Sequence, residues 1–139
     1  MSMQGRAESA AAMQDLGRQA AALAKPGVVI ALVGGLGAGK THWTKGLVAA
    51  LGGTLEVTSP TFALVNEYQA GPLTVYHFDF YRMETAAEVL AMGWDDYLDA
   101  RGVIIVEWAD KFAALLPQDT IWLRFTVEAD ETRTVRCTG

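Results

Sequence analysis

Cysteine is nearly missing from this chain: Cys137 is the only one in 139 residues. No disulfide can close within it, which fits a reducing compartment, and a cytoplasmic location is expected. Cys137 itself reads as a small packing residue. Positive charge is also scarce. Eleven Lys and Arg face 16 Asp and Glu, for a formal net charge of −5. Duplex binding leans on cations that neutralise phosphates, so DNA is not expected as a partner, nor is an extended nucleic-acid footprint. No apolar run approaches membrane-spanning length, and no membrane association is expected. The alanine-rich stretch 7–24 is interrupted by Glu8, Gln14, Asp15 and Arg18, so it lacks the unbroken core of a signal peptide. What is abundant is apolar side chain, at 51% of residues. That is enough for a core, and a single domain over 1–139 is expected.

The apolar pattern changes period along the chain. Met13, Leu16, Ala20, Leu23 and Ala24 recur at helical spacing, and Pro26-Gly27 ends that helix. "VVIALV" (28–33) is short, continuous and β-branched, as in a strand covered on both faces. "KTHWTKGLVAAL" (40–51) predicts a helix with Trp43, Leu47 and Leu51 on one stripe, stopped by Gly52-Gly53. Two extended runs around "QAGP" (69–72) predict a β-hairpin. Thr85 and Glu88 have capping-box spacing, so a helix is expected from Thr85 to Gly93, with a second short one in "WDDYL" (94–98). "GVIIVEW" (102–108) is a second buried-type strand. "IWLRFTV" (121–127) and "TRTVRCT" (132–138) are expected to pair across a polar turn. The order is that of an α/β fold with some antiparallel strands.

"GGLGAGKTH" (34–42) follows the first buried strand and opens a helix. It fits G-x-x-x-x-G-K-[ST], the phosphate-binding loop. Backbone N–H groups can wrap a phosphate chain only where no Cβ intrudes, which accounts for Gly34, Gly37, Gly39 and the small Ala38. Lys40 can reach the β- and γ-phosphates, and Thr41 can offer a hydroxyl to Mg²⁺. The helix N-terminus that follows favours an anion. Hydrolysis further needs a carboxylate for the metal and a group that positions water. Glu107 ends a central strand, where α/β sheets place their ligand crevice. Asp79 is the second strand-end acid. His77 shares a face with Asp79 and reads as a packing or hydrogen-bonding residue, since two ligands make a poor metal site. "TSPTF" (58–62) is either a plain loop or a switch-like loop rich in hydroxyls. Trp43, Trp94 and Trp122 read as core or half-buried, whereas Trp108, next to Glu107, reads as a wall of the phosphate site or a partner contact.

Taken together, "GLGAGKT", "TSPTF", "HFDFYR" and "VEWAD", in this order and in a chain this short, resemble the TsaE (YjeE) family. The resemblance runs over nearly the whole chain. It implies a P-loop NTPase-like three-layer α/β sandwich with a mixed, mostly parallel central sheet. It also implies a weak Mg²⁺-dependent ATPase that binds ATP and ADP. The family's job is to support N6-threonylcarbamoyladenosine formation at position 37 of tRNA by acting on a TsaB–TsaD complex, with tRNA met only indirectly. The resemblance gives Lys40, Asp79 and Glu107 to catalysis, and Thr41 and Glu107 to the metal. Nucleotide contacts are expected from Gly35, Leu36, Gly37, Ala38, Gly39, Lys40, Thr41, His42, Trp108 and Arg133. Arg136 is the second member of a C-terminal arginine pair. Two positions depart from the family's pattern: Gly35 stands for a common Asp or Glu, and His42 for a second Thr or Ser.

Two other classes stay open at this stage. A small-molecule P-loop kinase needs an arginine-rich lid, and only Arg82 and Arg101 lie between the loop and Glu107. A nucleotide-sensing binding module would use the same loop with negligible hydrolysis.

Overall fold

In the computed structural model, residues 4–35, 37–54, 57 and 64–138 are described. The expected contact Leu36 and the loop 58–62 lie outside the described residues. Seven strands form one mixed sheet: β1 Gly5–Ala7, β2 Val29–Val33, β3 Val65–Ala70, β4 Leu73–Asp79, β5 Val103–Glu107, β6 Ile121–Val127 and β7 Arg133–Cys137. Their order is β1-β7-β6-β2-β5-β4-β3. The central four, β6, β2, β5 and β4, run parallel. The antiparallel pairings lie outside them, β3 on β4 at one edge and β7 and β1 at the other.

The layers follow from strand alternation. All five residues of β2 and all five of β5 are buried, because helices cover both faces. Ile30, Leu32, Val103 and Ile105 point to the side of α1 (Ala10–Ala20) and α2 (Lys40–Ala50). Val29, Ala31, Ile104 and Val106 point to the side of α3 (Ala86–Ala91) and α4 (Trp94–Asp99). The second core is aromatic: Phe78 and Phe80 meet the Trp94 ring edge to face at 5.1 and 5.5 Å.

Local signals place most helix ends. Ser9 caps α1, its hydroxyl accepting from the Ala12 N–H. Thr85 Oγ1 caps α3 by accepting from the Glu88 N–H, while the Glu88 carboxylate reaches back to the Glu84 N–H. The hairpin between β3 and β4 turns at Gly71-Pro72, since Ala70 pairs with Leu73. Two features differ from expectation. β1 is a strand, although "GRA" carries no strand signal; it completes the otherwise open edge of β7. Cys137 is exposed rather than packed, because it closes β7 at the sheet's end.

α1 and α2 pack backbone to backbone. A Cβ on Gly17 would lie 1.9 Å from the Trp43 carbonyl oxygen, and one on Gly46 would lie 1.8 Å from that of Gln14. Neither neighbour is a flexible side-chain end, so the helices would have to separate. Gly46→Ala is therefore expected to destabilise the fold by about 1–3 kcal/mol. Urea unfolding checks this: the midpoint falls with the slope unchanged, and an unchanged midpoint would mean the crossing is not close.

Candidate functional site

Three adjacent parallel strands end side by side, and each delivers one part of the site. β2 runs into the glycine loop, β5 ends on Glu107, and β4 ends on Asp79. Asp79 and Glu107 are register partners, so their side chains leave the same face of the sheet. That face also carries α1 and α2. The loop closes at Gly39, the N-cap of α2, with φ +100. Only glycine adopts that conformation cheaply, and it aims the first turn of α2 at the space over the strand ends.

The resulting cavity holds about 430 Å³. Its floor and one wall are Gly37, Ala38, Gly39, Lys40, Thr41 and His42 from the loop and first turn. Asp79, Glu107 and Trp108 line the facing side, and Arg133 the rim. Gly35 is exposed and outside the lining, with nothing within 4 Å of a Cβ built on it. Three lining residues escaped sequence reasoning: Ser9, the cap of α1, and Ala10 and Met13 just after it. The helical stripe through Met13 was visible. What it faces was not, because the glycine crossing of α1 on α2 decides it.

Lys40 is 5% exposed. Its ammonium donates to the Gly34 carbonyl at 2.6 Å and lies 4.5 Å from the centre of the Trp108 ring. Burial pushes its pKa below the ordinary lysine value, opposed by the carboxylates of Glu107, Asp79 and Asp110. A buried cation held by a carbonyl dipole and a ring face is well matched to an anionic ligand. Trp108 has φ 57 and ψ 34, the left-handed region, at a cost of about 1–2 kcal/mol for a non-glycine residue. That turn carries its ring back over Lys40 and against exposed Tyr81, ring centres 4.9 Å apart.

Both carboxylates are buried and held. Asp79 Oδ1 accepts from the Tyr81 N–H at 2.8 Å. Glu107 Oε2 lies 2.6 Å from His77 Nε2, the role expected of His77 as a hydrogen-bonding residue. Arg133 donates from Nε and Nη2 to the Gly37 carbonyl, both at 3.3 Å, and so ties β7 to the loop. Arg136 is exposed and lines a separate surface depression with Arg6 and Asp130. Three residues apart on a strand, the two arginines leave opposite faces.

The donor set can be tested against Mg²⁺. Among the described residues, no group of three or more His, Cys, Asp or Glu could hold a metal by itself. Thr41 and Glu107 both line the cavity and offer oxygen only. Mg²⁺ commonly takes one or two protein oxygens together with substrate phosphates, so these residues fit it. His42 lines the cavity, and among the described residues its buried Nδ1 has no hydrogen-bond partner. Among the described residues, no helix is long and apolar enough to cross a membrane.

Fold and site together define a mixed-sheet α/β protein in which a glycine loop on a central strand faces two strand-end carboxylates. Within that class the chain belongs to the TsaE family: the family described as Threonylcarbamoyl adenosine biosynthesis protein TsaE matches residues 7–135. It is 45% identical to the Bacillus subtilis tRNA threonylcarbamoyladenosine biosynthesis protein TsaE, covering 86% of this chain and 74% of that one. The protein of the same description from Treponema pallidum is 39% identical, over 81% and 83% of the two chains. The crystal structure of Bacillus subtilis YdiB superposes with a TM-score of 0.80 at 35% identity, covering 98% of this chain and 84% of that one. The mixed α/β architecture is thus that of a solved relative.

Proposed function

We propose that this chain binds ATP and ADP with Mg²⁺, hydrolyses ATP slowly, and through that cycle supports N6-threonylcarbamoyladenosine formation at position 37 of tRNA by acting on a TsaB–TsaD complex. The observation that carries the reading is the convergence of Lys40, Thr41, Asp79 and Glu107 on one cavity from three neighbouring strand ends. Relatives described as tRNA threonylcarbamoyladenosine biosynthesis proteins supply the pathway.

In this reading the loop N–H groups and the N-terminus of α2 cradle the phosphates. Lys40 exchanges the Gly34 carbonyl for phosphate oxygens, and His42 and Arg133 flank the chain. Thr41 and Glu107 hold Mg²⁺, which offsets phosphate charge when bound. Asp79, across from the loop, orients the attacking water. Trp108 walls the site and keeps water from Lys40. The acidic surface leaves tRNA to the partner proteins, and the cytoplasm is the compartment that fits.

The test is ATP hydrolysis by the chain alone and with the TsaB–TsaD pair from the same organism. A slow basal rate that rises with the pair is expected. No rise with the pair, joined by phosphate transfer to a hydroxyl-bearing metabolite, would sink the reading in favour of a kinase.

A further inference from the structure

The geometry points to His77 as the positioning residue of Glu107, holding its carboxylate toward the cavity and away from Lys40. The inference rests on the Mg²⁺ role proposed above for Glu107.

His77 lies on β4 two residues before Asp79, on the same face of the sheet. It is fully buried and does not line the cavity, so it stands behind Glu107 rather than beside a ligand. Among the described residues its side chain makes one hydrogen bond, Nε2 to Glu107 Oε2, at 2.6 Å between two buried groups. An ionised carboxylate only accepts, so Nε2 carries the proton. Among the described residues Nδ1 is buried without a partner, and a proton there would be an unsatisfied donor. Burial therefore fixes the ring as the Nε2–H tautomer aimed at Glu107.

An apolar residue would fill this core position without stranding a nitrogen. The ring's use lies in what Glu107 does without it. Glu107 is the carboxylate that attracts Lys40 most strongly. A freely turning Glu107 side chain would swing toward the ammonium, and its carboxylate would be withdrawn from a bound metal. With Oε2 committed to His77, Oε1 is left for the cavity.

The test compares His77→Leu and His77→Gln with the wild type, using a fluorescent ADP titrated with and without Mg²⁺. Leucine keeps the volume and removes the donor, while glutamine places an amide N–H at similar reach. His77→Leu is expected to raise the Mg²⁺ concentration at half-effect by about tenfold or more. Its metal-free ADP affinity stays at the wild-type value, and His77→Gln recovers most of the loss. An unchanged Mg²⁺ requirement in His77→Leu, an equal loss without metal, or no recovery with glutamine overturns the positioning role. A wild type whose ADP affinity ignores Mg²⁺ overturns the metal reading of Glu107 itself. A second readout needs no variant: ¹⁵N spectra of the wild-type histidines should give the Nε2–H tautomer for His77, and Nδ1–H would overturn the proposal.

Discussion

Replacing Lys40 with alanine is expected to weaken ATP binding by about a hundredfold or more, with the fold intact. Charge-assisted hydrogen bonds contribute about 1.5–3 kcal/mol each, and two lost phosphate contacts account for that factor. The remaining loop N–H groups and the α2 terminus still attract an anion, but Glu107 and Asp79 then face the phosphates with Lys40's countering charge removed. Stability should not suffer. The ammonium is buried, and among the described residues its side-chain partners are the Gly34 carbonyl and the Trp108 ring. Removing a desolvated charge costs little when no opposite charge is bonded to it. Calorimetric titration with ATP and a thermal melt check the two halves. Wild-type affinity in a folded Lys40→Ala variant would refute the phosphate role of the loop.

Asp79→Asn is expected to lower ATP turnover by about a hundredfold while leaving nucleotide affinity near the wild type. Asparagine is the informative choice because Asp79 Oδ1 accepts from the Tyr81 N–H, and the amide oxygen keeps that turn. What disappears is the carboxylate charge in the cavity lining. Single-turnover hydrolysis together with ADP binding separates the outcomes. Turnover that survives the change, along with unaltered support of the TsaB–TsaD pair, would favour a binding module that needs no hydrolysis.

Much of this site was legible before any fold was known. The loop 34–42 announces itself because wrapping phosphate demands glycine, a lysine and a hydroxyl at set spacing, and all of these lie within nine consecutive residues. The strand-end acids were legible too, since continuous β-branched runs predict buried parallel strands and their carboxyl ends predict a crevice. The likeness of "HFDFYR" and "VEWAD" to one family pointed to the same acids.

Other features depend on neighbours that the sequence does not display. β1 is a strand only because β7 offers it an edge. Cys137 shares the strand face of buried Val135, yet it is exposed because β7 ends there. Arg133 and Arg136 look equivalent in sequence, but strand alternation sends only Arg133 to the loop, 96 residues away.

By itself the sequence determined which chemical groups this protein owns and the local turns that present them. Capping, glycine φ and strand alternation act over a few residues, so they can be read directly. Only the tertiary structure decided which groups meet: His77 with Glu107, Trp108 with Lys40, Arg133 with Gly37, and the first turn of α1 with the cavity. Those meetings follow from strand order and from a helix crossing close enough to require glycine. Both are set by how the whole sheet buries its two faces, and no spacing within the chain encodes them.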